Sequence, residues 1–239
     1  MSPGASKATL RVVIGYNKLI MSATYSKIQW QETMNDVTID CSLDIAIHPA
    51  ESNIVLLTVP GVDGSVDGYE NKYVKIAESI LDEHGAAVVR IANPFITSFH
   101  WESNVRRALD YINTHAREIS GNDDIEIRIM AHSAGAAIVA QIAWEYPNIE
   151  KILLINPATA LGLDKMKRGL AEFGGNKITV VFGSKDPSAK DAKELSTADE
   201  TARMRTFVYD DVDHHFSGDS LKLFMHEPHA HLFNRAYYI

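Results

Sequence analysis

Cysteine is nearly absent: Cys41 stands alone in 239 residues, so no internal disulfide can form and a reducing, cytoplasmic setting is permitted. Nothing around Cys41 suggests a nucleophile, and a buried, inert role is expected for it. Glycine and proline are sparse as well, 14 and 8 residues without a period, which excludes collagen-like and low-complexity chains. Positive charge is in the minority, 23 basic against 31 acidic residues, and a net charge of −8 argues against nucleic acid or an anionic membrane surface as main partner. Apolar runs are short, and none approaches the 18 or more residues of a membrane span. The stretch from Leu10 to Met21 is broken by Arg11, Asn17 and Lys18 and lacks a small-residue cleavage pattern, so it reads as an early strand or hairpin rather than a targeting segment. What remains, 46% apolar and 23% charged residues, describes a globular chain. A chain of this length buries roughly three-quarters of its unfolded surface without a metal or disulfide staple, and one domain over residues 1–239 is expected.

From Ala8 to His48, β-branched stretches such as Leu10 to Ile14 and Val37 to Asp40 suggest antiparallel strands. The unbroken apolar strand Asn53 to Val59, ending in Pro60-Gly61-Val62-Asp63-Gly64, instead suits a parallel sheet covered on both faces. Helices near Asn71 to His84 and Ser103 to Ile119 then alternate with strands Ala86 to Ile91 and Ile125 to Met130, and Val105, Ala108, Leu109 and Ile112 fall on one helical face. A helix from about Ala134 to Trp144, strand Lys151 to Ile155, a helix near Asp164 to Phe173, strand Ile178 to Phe182, a polar helix over roughly Ala189 to Arg203 and strand Thr206 to Tyr209 complete the pattern. This is an α/β chain, antiparallel at its start and mostly parallel afterwards. Only about twenty residues separate Ile155 from Ile178, too few for a large cap.

The strongest chemical signal is Ala131-His132-Ser133-Ala134-Gly135, placed where a strand ends and a helix begins. It matches a nucleophile elbow, with Ala131 in place of the usual first glycine. Taken alone, Ser133 is equally well read as a helix N-cap. A serine nucleophile needs a histidine base and an acid to orient it, and an elbow of this kind has the acid and then the histidine further along the chain. Asp186, in Gly183-Ser184-Lys185-Asp186-Pro187, and His214, in Asp211-Val212-Asp213-His214-His215-Phe216, each follow an apolar strand. Three such groups at the carboxyl ends of parallel strands converge on one edge of the sheet.

On these segments the chain, from about Ile54 to Phe216, resembles the α/β-hydrolase superfamily, and within it the small capless serine hydrolases of the lysophospholipase-like and serine-aminopeptidase-like branches. The resemblance implies an α/β-hydrolase fold with helices on both faces of the sheet. It also selects His214 over His215, because the family histidine directly follows an Asp in a comparable loop. It implies an oxyanion hole made by the backbone amides of Ala134 and Val62, with Gly61 and His132 beside the substrate. Pro60 stands where the family usually has a histidine that braces this turn, while the same Pro, Gly and Asp residues also read as plain loop formers. The implied chemistry is cleavage of a small-molecule or acyl ester through an acyl-enzyme, without cofactor or metal. An acyltransferase, a thioesterase or amidase, and a binding protein without turnover remain as alternatives.

Other clusters carry weaker signals. His226, His229 and His231 look like metal ligands, but Pro228 is expected to interrupt the helix that would align them, leaving a surface or packing role. His132 suits packing as well as substrate contact. Asn93-Pro94-Phe95 with Phe99, His100 and Trp101 reads equally as an acyl-pocket lining or a surface loop, and Asp164 is a second, less well placed candidate acid.

Overall fold

A computed structural model describes residues 23–34, 36–95, 100–198 and 203–234. The expected strand at Leu10 to Ile14 and the proposed pocket residue Phe99 lie outside these residues. Eight strands form one sheet in the order β1-β2-β4-β3-β5-β6-β7-β8. They are β1 (Thr24–Met34), β2 (Val37–His48), β3 (Ile54–Val59), β4 (Ala87–Ile91), β5 (Glu126–His132), β6 (Ile149–Ile155), β7 (Lys177–Gly183) and β8 (Met204–Tyr209). Strand β2 runs against its neighbours β1 and β4, and every pairing from β4 through β8 is parallel. The chain leaves β3, pairs β4 on one side and returns to β5 on the other, so the direction of winding reverses at β3, where open α/β sheets place their ligand crevice.

Alternate residues of the central strands feed two cores. Leu56, Val88, Met130 and Leu153 pack under α1 (Lys72–His84) and α7 (Leu221–His231), through Ile76, Ile80 and Phe224. Leu57, Val89, Ile129 and Leu154 pack on the other face, under α2 (His100–Thr114) and α4 (Ala134–Ile142) and against Leu170 of α5 (Leu163–Glu172). Burial on both faces is why these strands read as unbroken apolar runs, and each fully buried Val, Leu or Ile contributes about 1.5–3 kcal/mol. In α2 the apolar residues that turn inward are Val105, Ala108, Leu109 and Ile112, the face read from their spacing.

Three sequence expectations need correction. The helix expected over Ser103 to Ile119 is two, α2 and α3 (Ala116–Ser120), with His115 between them outside helical geometry at φ −110° and ψ 24°. The polar helix expected over Ala189 to Arg203 shrinks to a 3-10 turn at Pro187–Asp191 and the single turn α6 (Ala192–Leu195), in which Ala192 and Leu195 alone are buried; residues 199–202 lie outside the described set. Pro228 does not end a helix but sits inside α7. A proline here removes one helical N–H, and the burial of Phe224, Glu227, His229 and His231 around it outweighs that loss. Between β6 and β7 the described chain holds only a 3-10 turn at Thr159–Leu161 and α5, so there is no large cap.

Candidate active site

Ser133 follows β5 with φ 55° and ψ −121°, outside the ordinary basins for a residue with a Cβ. Its neighbours enforce this conformation: its N–H donates to the Ile155 carbonyl (2.9 Å) and its own carbonyl accepts from Ala158 (3.1 Å). Close packing of the elbow on β3 needs the glycine behind it, since a Cβ on Gly135 would lie 2.4 Å from the Pro60 carbonyl oxygen. Ser133 occupies the N-cap position of α4 without making a side-chain cap bond. Its Oγ instead lies 3.0 Å from His214 Nε2.

His214 Nδ1 bonds Asp186 Oδ2. Asp186, 4% exposed, follows β7 and also accepts the Ser188 N–H (2.6 Å) at Oδ1. The structure therefore brings Ser133, His214 and Asp186 into one hydrogen-bonded line. It does not bring in Asp164, exposed on α5, or His215, whose ring meets His214 edge-on at 5.0 Å and lines an adjoining cavity. The acid-bearing and histidine-bearing loops are laced together by Ser184 N–H to the Tyr209 carbonyl (2.9 Å) and Lys185 N–H to the Val212 carbonyl (3.0 Å).

His132 lies behind this line. Its Nε2–H donates to the His214 carbonyl (2.8 Å), and burial, with Lys72 adding to the effect, lowers its pKa to about 3, so the ring is neutral. Gly61 touches the serine: a Cβ there would stand 2.9 Å from Ser133 Cβ and 3.3 Å from Oγ. Val62 is exposed at the turn tip, and among the described residues neither its amide nor that of Ala134 donates to a backbone carbonyl. The Ala134 N–H stands at the start of α4, where the helix dipole favours negative charge.

In place of a histidine, the turn is braced by Asn93 at the end of β4. Its side chain donates to the Pro60 carbonyl (3.0 Å), its N–H to Gly64 (2.9 Å), and its carbonyl accepts from Asp63 (2.9 Å). Asn104 from α2 holds the Asn93 amide in turn (3.0 Å). Phe95 is exposed and tilted against Trp101 at 5.1 Å, while the side chain of His100 lies outside the described residues. Cys41 is buried, which raises its pKa and leaves it a thiol.

Two residues of the site escaped the sequence reading. Asn156, fully buried after β6 with φ 43°, accepts the Gly183 N–H (2.8 Å) and donates to the carbonyls of Asp213 (3.2 Å) and His214 (3.0 Å), joining the acid strand to the histidine loop. An Asn directly after an unbroken apolar strand was the available signal. Lys72, 7% exposed, carries its ammonium 3.9 Å above the Phe224 ring at the edge of a cavity of about 600 Å³ that His215 and Phe216 also line. Burial lowers its pKa to about 8.

No family model matches the chain, and no curated relative matches it. Solved structures do. A dienelactone hydrolase from Anabaena variabilis is similar at a TM-score of 0.66 and 14% identity, over 89% of this chain and 99% of that one. Est1E from Butyrivibrio proteoclasticus is similar at 0.60 and 15%, over 83% and 95%. Mouse alpha/beta hydrolase domain-containing protein 10 is similar at 0.61 and 11%, over 87% and 98%. Among the described residues no helix is long and apolar enough to cross a membrane. With its mostly parallel eight-stranded sheet, helices on both faces and these structural neighbours, the chain adopts the α/β-hydrolase fold.

Proposed function

We propose that this chain is a serine hydrolase that cleaves a carboxylic ester of a small molecule through an acyl-enzyme. The observation that carries the reading is the unbroken line from Ser133 Oγ through His214 to Asp186, with Ser133 held at φ 55° in front of a helix. Hydrolase neighbours of the same fold support it. In the first step His214 Nε2 takes the Ser133 proton while Oγ bonds the ester carbon. Negative charge collects on the former carbonyl oxygen and is met by the amides of Val62 and Ala134, groups worth roughly 10²–10³ in turnover where one such donor is lost. The imidazolium, stabilised by Asp186, then gives its proton to the departing alkoxide. A water molecule, with His214 again as base, releases the acid and restores Ser133.

In this reading the cavity lined by Lys72, His215 and Phe216 takes one side of the ester, and the missing side chain at Gly61 leaves room for the carbonyl at the serine. The whole chain acts as one domain in this reading. A cytoplasmic setting goes with it, which a lone, buried cysteine permits.

A fluorophosphonate probe tests the proposal on the parent chain and on Ser133→Ala, beside a graded series of acyl nitrophenyl esters. Labelling and ester turnover in the parent, both absent from S133A, is the expected result. Labelling without turnover redirects the reading to thioesters, amides or acceptors other than water. A folded parent that takes no label overturns it.

A further inference from the structure

A second cluster of chemistry-bearing side chains lies away from Ser133, where the C-terminal turn of α1 meets α7. Twelve residues separate Lys72 from His84 along α1, roughly 18 Å at the helical rise, so the cluster sits at the far end of the helix from the candidate active site. Glu83 and His84 come from α1 and His229 from α7, and one ligand atom of each lies within 4.8 Å of the other two. His84 Nε2 and His229 Nδ1 face each other at 2.9 Å, and Glu83 Oε2 is 3.8 Å from His229 Nδ1. The cluster opens on a cavity of about 250 Å³ lined also by His226, whose ring stacks on His229 at 6.0 Å.

We propose that Glu83, His84 and His229 bind one divalent transition-metal ion of the Zn²⁺ type, with the fourth position turned to the cavity beside His226. The geometry is near what such an ion requires. Zn–N bonds of about 2.0–2.1 Å in a tetrahedron set neighbouring nitrogens roughly 3.3 Å apart, so the facing imidazoles need to open by only a few tenths of an ångström. Glu83 is exposed and its carboxylate moves inward at low cost. The supporting groups are already in place: Ser79 Oγ lies 3.0 Å from His229 Nε2 and donates to Glu83 Oε1 at 3.0 Å, and Phe233 stacks on His84 at 4.3 Å. With His229 Nε2–H donating to Ser79, His229 Nδ1 presents its lone pair to the ion. His84 then carries its ring proton on Nδ1 rather than Nε2, so binding requires a tautomer change and no oxidation.

The donor set also selects the ion. Two imidazoles and one carboxylate suit Zn²⁺ or Co²⁺, whereas Ca²⁺ and Mg²⁺ depend on several oxygen ligands. Lys222 at the cavity and Arg128 near His84 further disfavour ions held by charge alone. Such an ion clamps the last turn of α1 to α7 and takes no part in ester cleavage.

The test uses the full chain, stripped with a chelator and titrated with Co²⁺. One equivalent should produce the visible absorption of four- or five-coordinate Co²⁺, be displaced by Zn²⁺, and raise the unfolding temperature. Glu83→Gln and His84→Asn, at positions open enough to keep the fold by circular dichroism, should each weaken Co²⁺ binding at least tenfold. His115→Asn, outside the cluster, should leave it unchanged. A parent that binds no stoichiometric Co²⁺, or binding that survives in both E83Q and H84N, overturns the proposal.

Discussion

Removing the Asn156 carboxamide leaves the buried Gly183 amide without its partner and takes one bond from each of the Asp213 and His214 carbonyls, which keep the Phe216 N–H and His132 Nε2–H. Unpaired buried groups cost about 1–3 kcal/mol, so Asn156→Ala should lower stability by about that amount. Because those bonds set where His214 stands, kcat should fall about tenfold or more with little change in KM, and the rate of fluorophosphonate labelling should fall in parallel. Steady-state kinetics of the folded variant decide it; unchanged kcat would show that the His214 loop holds its own position. Lys72 offers the opposite sign. Its pKa falls from 10.5 to about 8 on burial, so the unfolded chain binds more protons between those values and stability should rise as pH climbs from 8 to 10.5. Lys72→Met keeps the stem over Phe224 and removes the charge, and should stabilise the chain by about 1–3 kcal/mol at pH 7 in denaturant titration. At this scale the sequence showed Ser133, Asp186 and His214 because their types, order and positions after apolar strands are local properties. Asn156 and Lys72 stayed hidden because their roles depend on what distant segments bring beside them.

Elements carry the site through their ends, and the close approach of β3 to α4 illustrates how little slack there is. Gly135→Ala would drive a Cβ to 2.6 Å from a Val59 methyl as well as onto the Pro60 carbonyl. Overpacking of this sort costs typically about 1–3 kcal/mol, and the elbow would be pushed off the turn that carries Val62. Thermal unfolding should drop by several degrees and ester turnover should fall with it; a variant as stable and active as the parent would contradict the packing described. On the other side of that turn, buried Arg90 of β4 donates to His48 of β2 (3.2 Å), to the Val66 carbonyl (2.9 Å) and to Asp67 (2.6 Å), and also to Tyr25 of β1 (3.1 Å). One guanidinium thus ties both early strands to the segment leading into α1. Unbroken apolar runs made β3 and β7 legible, and the shared face of Val105, Ala108, Leu109 and Ile112 did the same for α2. The polar stretch Ala189 to Arg203 misled, because among its described residues only Ala192 and Leu195 are buried. At Pro228 a local rule yielded to the packing of α7 on α1.

For the molecule as a whole, acid is the expected weakness. Burial lowers His48 to about 4 and His132 to about 3, both from 6.5, so each is neutral in the folded chain while its unfolded counterpart takes up a proton below pH 6.5. Stability should therefore decline as pH drops from 6.5 toward 4, each of these histidines adding up to one proton, or about 1.4 kcal/mol per pH unit, to the slope. His48→Gln should flatten that slope by about one proton; a stability independent of pH over this range would refute the assignment. The antiparallel start, the mostly parallel continuation and the burial of both sheet faces follow from patterning, but the reach of the first hairpin does not. Strands β1 and β2 pair from Thr24 with Ile47 to Met34 with Val37, whereas β2 meets β4 only through Ile45 to His48. Among the described residues the outer half of the hairpin is a two-stranded ribbon with no third strand beside it, and such ribbons are marginal on their own. In deuterated solvent the amides of Val37 to Ser42 should therefore exchange through local fraying, orders of magnitude sooner than those of Ile45 to Ile47, which open only with the sheet.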